Sequence, residues 1–278
     1  MKEFMRDIKS IDDINKAYRD LWKTYGKKKL PVSISKYLMR WPLQYDLDIK
    51  PQKLLFVGFN PSFDEDKDNS FKFLKDGDLD DQNIINQVVE YERTAQRGNK
   101  ETNKERYTYY SLFPEITQNL GLGKDDWNHI DLLPFREKSQ NTLLTDLGIK
   151  RDSIDWMLGN ESLKGLLNEC FEVFLGFIEY LKPKVIVVVN GFISRTVIDC
   201  TGSHYITKDK PSKPFIKPCL CKSDFFSLSI GDSKNQVYRI LRIKNEYPVL
   251  LSSMLTGRRA LDLGSRERLI WHINSILQ

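Results

Sequence analysis

Amide, carboxyl and hydroxyl side chains lie at or near the ends of the apolar stretches of this chain. They are Asn60 within Gly58-Phe59-Asn60-Pro61-Ser62, Asp131 inside the second stretch, Asn190, and the neighbours Ser252 and Ser253. An asparagine carbonyl can orient a water molecule for attack on a bond, although an amide is a weaker base than a carboxylate. Hydroxyl and carboxyl groups can hold a polar ligand through hydrogen bonds. These residue types indicate a site for a polar ligand, with water as a candidate nucleophile.

The apolar stretches themselves predict four buried strands. They cover residues 53–59, 129–135, 185–190 and 247–253. Continuous apolar runs of this length are typical of parallel strands that are covered on both faces. Helices are predicted over residues 10–26, 33–40, 84–91, 161–181 and 265–277, and a turn followed by a helix over 109–121. This alternation predicts an α/β fold, a three-layer α/β/α sandwich around a mainly parallel four-stranded sheet. Ligands of such sheets bind beyond the carboxyl ends of the strands, so the four polar segments should converge.

The chain is expected to form one domain over residues 1–278, with three additions to the core. These are an N-terminal helical extension (1–50), a charge-rich helical insertion (64–106) and a hairpin insertion (203–244), whose strands are predicted at 225–230 and 237–243. Hydrophobic residues make up 40% of the chain and charged residues 29%, which argues against a disordered chain. No apolar run reaches the roughly 20 residues of a membrane helix, and the first residues lack a secretory apolar core. We therefore expect a cytoplasmic protein, and its net charge of +5 is compatible with nucleic acid.

The four cysteines do not predict a disulfide framework or a metal centre. They are Cys170, Cys200, Cys219 and Cys221. They are few and scattered, and the single C-x-C pair has no second pair nearby. We infer no metal.

Two motifs and the order of the elements resemble the uracil-DNA glycosylase superfamily. Gly58-Phe59-Asn60-Pro61-Ser62 after the first strand is similar to the first motif of that family, in the form with Asn in place of Asp. Leu251-Ser252-Ser253-Met254-Leu255-Thr256 looks like a diverged second motif. The resemblance covers residues 50–62 and 107–277. It implies a monofunctional DNA glycosylase that flips a base out of DNA and hydrolyses its N-glycosidic bond, acts as a monomer and needs no cofactor.

The resemblance also implies roles for individual residues. Asn60 would position the attacking water, and Ser252 would help to stabilise the departing base. The segment Tyr109–Phe113 would supply the aromatic platform for the base, with Tyr110 preferred and with one or two of its rings filling the sheet-to-helix junction. The expected base contacts are Gly58, Phe59, Ser62, Tyr110, Phe113, Asp131 and Asn190. The expected DNA contacts are Pro61, Arg136, Ser253, Met254, Leu255, Arg258 and Arg259.

Asp131 falls where the family often carries an Asn that recognises uracil. An ionised carboxylate accepts hydrogen bonds and donates none, so it would suit the N4 amine of a cytosine. This favours a modified or damaged pyrimidine, and with it removal of damaged or foreign bases, for example those of phage DNA. The other interpretation is that Asp131 supports its loop by pairing with Arg136 or His129.

The loop after the fourth strand departs from the family at its catalytic His. None of His129, His204 and His272 lies there. Met254 and Leu255 would serve as a wedge for the flipped nucleotide, and Arg258 and Arg259 as phosphate contacts. The alternative is a glycine-containing turn with two solvated arginines. Two other functions stay open: a non-catalytic nucleic-acid-binding protein of the same fold, and a hydrolase or transferase acting on free nucleosides or nucleotides.

Overall fold

A six-stranded sheet forms the centre of this α/β protein in a computed structural model. The structure describes residues 8–63, 74–75, 77–98, 105–147, 161–191, 193–194, 225–231, 237–243, 247–255 and 260–278. The strands are β1 (Leu54–Gly58), β2 (Trp127–Asp131), β3 (Val185–Val188), β4 (Phe225–Gly231), β5 (Val237–Ile243) and β6 (Tyr247–Leu251). The helices are α1 (Ile11–Gly26), α2 (Val32–Leu38), α3 (Gln82–Arg97), α4 (Leu112–Asn119), α5 (Gln140–Asp146), α6 (Glu161–Leu181) and α7 (Leu263–Leu277).

The strand order is β2-β1-β3-β6-β5-β4. The first four strands are parallel, with Leu55 opposite Ile186 and Val187 opposite Leu250. The residues of β1 and β3 are all buried, as the apolar runs predict. The predicted α/β class and its four-stranded parallel sheet are confirmed. The predicted hairpin forms β4 and β5, which continue the sheet in antiparallel order from β6.

Local side-chain chemistry sets where several helices begin. The Ser10 hydroxyl accepts a hydrogen bond from the Asp13 amide at 3.2 Å, so that it caps α1. The Asp81 carboxylate accepts from the Asn83 amide at 2.8 Å and caps α3. Asp262 caps α7 in the same way, through the Ser265 amide at 2.8 Å. These caps lie within three residues of the predicted helix starts for α1, α3 and α7.

Two elements differ from the sequence-based predictions. Strand β2 begins at Trp127 and ends at Asp131, so the apolar residues up to Phe135 continue as a buried loop instead of a strand. The turn and the following helix predicted over 109–121 are confirmed as a 3-10 turn (Thr108–Tyr110) and α4. Helix α5 was not predicted at all; Ser139 caps it through the Thr142 amide at 3.2 Å.

The chain divides into two compact units, each made of interleaved segments. The first consists of Met1–Ile49, Phe59–Tyr107 and Asp131–Tyr180, and the second of Lys50–Gly58, Thr108–Ile130 and Leu181–Gln278. The first unit therefore holds α1, α2, α3, α5 and nearly all of α6, and its core includes the stacked rings of Trp22, Tyr37 and Phe135. The second holds the sheet with α4 and α7, around a core that includes Phe56, Phe113 and Ile273.

Within the described residues, no helix combines the length and the apolar character that crossing a membrane requires.

Candidate active site

The loop after β1 and the loop after β2 are joined by backbone hydrogen bonds in the first unit. The Leu133 amide donates to the Phe59 carbonyl at 2.9 Å, and the Glu137 amide donates to the Pro61 carbonyl at 3.0 Å. Strands β1 and β2 are neighbours in the sheet, so their carboxyl ends lie at one edge. Two of the four predicted polar segments are therefore brought together.

Asn60 is held in this pair of loops by its amide nitrogen. Nδ2 donates to the Glu137 carbonyl at 2.7 Å and to the Pro61 carbonyl at 3.0 Å. Both partners can only accept, so the amide has one orientation and both of its N–H groups are used. Oδ1 accepts no hydrogen bond from the residues that the structure describes, and the side chain is half-buried. The arrangement presents a fixed carbonyl oxygen that can accept a hydrogen bond from a water molecule.

The residues beside Asn60 differ in their exposure. Gly58, Phe59 and Pro61 are buried, whereas Ser62 is exposed. The Pro61 carbonyl accepts both from Asn60 Nδ2 and from the Glu137 amide. The Pro61 carbonyl thus helps to hold the loop together, and the DNA contact expected of Pro61 stays a prediction. The base contacts expected of Gly58, Phe59 and Ser62 stay predictions.

Arg136 is buried and forms an ion pair with Glu92 of α3. Its side chain is 3% exposed and that of Glu92 is 8% exposed. Arg136 Nε also donates to the Trp41 carbonyl at 2.8 Å. The expectation that Arg136 contacts DNA phosphates is wrong, because its guanidinium is enclosed with a counter-ion of its own.

Arg40 completes this group and was not predicted from the sequence. Its guanidinium donates to the Arg136 carbonyl at 2.6 Å and contacts the Glu137 carboxylate at 3.3 Å, and it lies 4.6 Å from the ring centre of Phe63. The only sequence signal for Arg40 is a charge placed among apolar neighbours, between Met39 and Trp41. Glu92 carries a similar signal, since it falls on the buried stripe of α3.

Asp131 is the last residue of β2 and is 5% exposed. Its backbone amide donates to the Tyr45 hydroxyl at 3.3 Å. Burial raises the pKa of the Asp131 carboxyl well above 3.8, and repulsion from Glu92 adds to this, while Arg136 acts against it. Burial therefore disfavours the charged form of this carboxyl, and the base contact expected of Asp131 stays a prediction. A protonated carboxyl would have one O–H donor as well as acceptors, so it would not select an amine in the way that a carboxylate would.

The aromatic segment lies in the second unit, around His129. The ring centres of Tyr109, Tyr110 and Phe113 lie 5.4, 5.2 and 5.4 Å from that of His129, and the Tyr109 hydroxyl lies 3.3 Å from His129 Nε2. Phe113 is fully buried and packs on Phe56 at 4.6 Å. The expected base contact of Phe113 is wrong, because the ring is part of the core. Tyr110 is almost enclosed and Tyr109 is half-buried, so Tyr109 offers the most accessible ring; the preference for Tyr110 stays a prediction.

His129 is neutral at physiological pH. Burial lowers the pKa of His129 to about 3, because an imidazolium would lose its hydration. The His129 ring therefore packs among aromatic side chains in its uncharged form. It does not carry the second ring proton that an imidazolium could donate.

The segments after β3 and β6 also meet in the second unit. The Ser252 amide donates to the Val188 carbonyl at 2.9 Å, and the Ser194 hydroxyl donates to the Ser252 carbonyl at 2.8 Å. Asn190 Oδ1 accepts from the Ile193 amide at 3.1 Å and so caps a helical turn. These contacts fix the two segments. The ligand contacts expected of Asn190, Ser252 and Ser253 stay predictions.

Of the two residues expected to form the wedge, only Met254 remains a candidate. Leu255 is 2% exposed and packs in the core of the second unit, so its proposed insertion into DNA is wrong. Met254 is half-buried, and its carbonyl accepts from the Leu261 amide at 3.0 Å. Arg258 and Arg259, with His204, Cys200, Cys219 and Cys221, lie outside the described residues.

In the part of the chain that the structure describes, no group of three or more His, Cys, Asp or Glu side chains could hold a metal ion.

Comparison of the chain with models of known protein families gave no match. Comparison with curated proteins gave no match either.

Proposed function

We propose that this protein is a monofunctional DNA glycosylase that removes a modified or damaged pyrimidine base. The observation that carries the proposal is the tethered amide of Asn60. Two carbonyls hold Nδ2 at 2.7 and 3.0 Å and leave Oδ1 as a fixed acceptor on a half-buried side chain. The similarity of Gly58–Ser62 to the first motif of the uracil-DNA glycosylase superfamily supports the same assignment.

In the proposed reaction, Asn60 Oδ1 accepts a hydrogen bond from a water molecule and directs its oxygen at the anomeric carbon of an extruded nucleotide. The bond between that carbon and the base nitrogen breaks with both electrons leaving on the base, and the water oxygen bonds to the carbon. The water proton passes to solvent, and the departing base takes up a proton. An amide is a poor base, so catalysis would rest on placement of the water and on stabilisation of the base anion.

The raised pKa of Asp131 bears on the choice of base. In its protonated form the carboxyl has one O–H donor and one carbonyl acceptor, which match the O4 and N3–H edge of a uracil-type base, as an Asn would. In its ionised form it would favour the N4 amine of a cytosine. We therefore place uracil and its 5-substituted derivatives beside the modified cytosines as candidate substrates.

An abasic-site assay tests the proposal. The purified protein is incubated with duplex and single-stranded DNA that carries uracil, 5-hydroxymethyluracil, cytosine or a modified cytosine, and alkali then cuts the abasic sites. We expect cutting with one or more of these bases, and loss of cutting with Asn60→Ala at unchanged DNA affinity. Asn119→Ala is the matched control, because Asn119 is exposed at the end of α4.

Three outcomes would contradict the proposal. Cutting that persists with Asn60→Ala would remove Asn60 from the active site. A band shift with DNA but no abasic sites on any substrate would favour the non-catalytic binding protein. Base release from free nucleosides at the rate seen with DNA would favour the nucleoside hydrolase.

A further inference from the structure

Helix α3 comes from the segment that the sequence marks as an insertion, yet it buries a carboxylate. Its buried stripe consists of Ile85, Val88, Glu92, Ala95 and Gln96. Ile85 and Val88 pack against the fully buried Trp41. A stripe with this spacing normally carries apolar residues only, and a buried charge is costly unless it is paired. The buried charge of Glu92 therefore needs a partner that compensates for its lost hydration.

That partner is Arg136, in the loop after β2. The Arg136 guanidinium pairs with Glu92, its Nε donates to the Trp41 carbonyl at 2.8 Å, and it lies 6.0 Å from the ring centre of Tyr91. Arg136 is thus fixed from two sides by α3 and from a third by the segment after α2. The ion pair with Glu92 and the hydrogen bond from Nε hold the guanidinium, and with it the backbone that carries it, in one place.

The backbone next to Arg136 is the part of the loop that holds Asn60. The Arg136 carbonyl accepts from Arg40 at 2.6 Å. The following residue, Glu137, accepts from Asn60 Nδ2 at 2.7 Å through its carbonyl and donates to the Pro61 carbonyl at 3.0 Å through its amide. The residue that carries the anchored guanidinium is therefore adjacent in sequence to the residue that makes both contacts with the Asn60 loop.

We infer that Glu92 is a positioning residue for Asn60, so that the inserted helix α3 is part of the catalytic machinery and not an appendage. Glu92 acts through Arg136, and Arg136 sets where the Glu137 carbonyl lies. The inference rests on the proposed function for its catalytic consequence, whereas its structural part can be tested without any activity.

The structural part is tested by amide hydrogen exchange, followed by NMR in the full-length protein. Glu92→Gln keeps the size of the side chain and removes the charge that holds Arg136. We expect the Leu133 and Glu137 amides, which bond to the Asn60 loop, to exchange about tenfold faster or more. Glu90→Gln is the matched control: it removes the same charge from the same helix, but Glu90 lies at the surface, where it pairs with Arg93. We expect no change at Leu133 or Glu137 in that variant.

The catalytic part is tested by single-turnover base release at saturating DNA. We expect Glu92→Gln to slow release about 10- to 100-fold with DNA affinity unchanged, because a small displacement of the attacking water is costly in rate. Glu92→Gln leaves the buried charge of Arg136 without its partner and could prevent folding. The double variant Glu92→Leu with Arg136→Met avoids this, because it removes both charges of the pair. We expect the same loss of rate in that variant.

The results separate the two proposals. Unchanged exchange at Leu133 and Glu137 in both Glu92 variants would overturn the inference, whatever the activity. A Glu92→Gln variant that loses thermal stability but keeps its rate at saturating DNA would also overturn it, because Glu92 would then be a purely structural residue. Faster exchange together with a wild-type protein that releases no base would support the positioning role and overturn the proposed function.

Discussion

The side-chain nitrogen of Asn60 lies 2.7 Å from the main-chain oxygen of Glu137, a residue 77 positions further along the chain. This contact joins the loop after β1 to the loop after β2, and it decides which end of the Asn60 amide can face a ligand. An amide is suited to this position because it donates from one end and accepts at the other. The following expectations depend on this contact and on the burial of the neighbouring groups.

Asn60→Asp is expected to be slower than the wild type, although a carboxylate is the stronger base. A carboxylate cannot donate to the Glu137 and Pro61 carbonyls, so two oxygens would face a negative charge at close range. We expect base release to fall about 10- to 100-fold in single-turnover measurements. Asn119→Asp at the surface should keep the wild-type rate. An Asn60→Asp variant as fast as the wild type would show that the tether does not matter.

Asp131→Asn is expected to stabilise the protein increasingly as the pH rises. The folded-state pKa of Asp131 is raised above 3.8, so above that pH the unfolded chain ionises while the folded chain keeps its proton. The wild type should lose stability relative to Asp131→Asn by up to about 1 kcal/mol per pH unit, until the raised pKa is reached. Urea unfolding of both proteins between pH 4 and pH 7 measures this. A difference that does not change with pH would mean that Asp131 is ionised in the fold.

His129→Phe is expected to have the opposite pH dependence. Burial lowers the pKa of His129 from 6.5 to about 3, so below pH 6.5 the unfolded chain binds a proton that the folded chain refuses. The wild type should therefore lose about 2 kcal/mol relative to His129→Phe between pH 7.5 and pH 5. Denaturant unfolding at the two pH values checks this. Parallel behaviour of the two proteins would show that His129 titrates normally.

Phe113→Ala is expected to cost stability but not base recognition. The ring is fully buried against Phe56 and Trp127, so its removal should lower the free energy of unfolding by about 3–5 kcal/mol. The rate of base release should be kept at temperatures where the variant is folded. Tyr109→Ala provides the comparison, because the Tyr109 ring is more accessible. A stable Phe113→Ala variant that has lost substrate affinity would return Phe113 to the binding surface.

Leu255→Ala is expected to lower mainly the stability of the protein, and Met254→Ala mainly its rate of base release. Leu255 is buried, so its truncation should cost about 2–5 kcal/mol. Met254 is half-buried and should cost about 1 kcal/mol or less, but its truncation should slow base release roughly tenfold, since a wedge offsets the loss of stacking in the duplex. Thermal unfolding and single-turnover kinetics measure the two effects. A Met254→Ala variant with unchanged kinetics on duplex DNA would show that Met254 does not act as a wedge.

Elements with a strong local pattern could be predicted from the sequence. The apolar runs identify β1, β3 and β6, and the amphipathic spacing identifies α1, α6 and α7, because strand and helix periods are properties of neighbouring residues. The caps made by Ser10 and Ser139 also depend only on neighbouring residues, although only Ser10 led to a predicted helix. The same alternation of strands and helices predicts a parallel sheet, so the polar segments after the strands could be identified as the candidate site.

Only the tertiary structure decided which of these polar and apolar groups are available to a ligand. Arg136 has the chemistry of a phosphate contact, but Glu92 lies 44 positions earlier in the chain and encloses it. Leu255 and Phe113 lie in segments that the sequence places at the site, yet both are core residues. The orientation of the Asn60 amide and the protonation of Asp131 depend in the same way on groups that are remote in sequence. Burial, ion pairing and pKa shifts arise from such distant neighbours, and a linear pattern does not contain them.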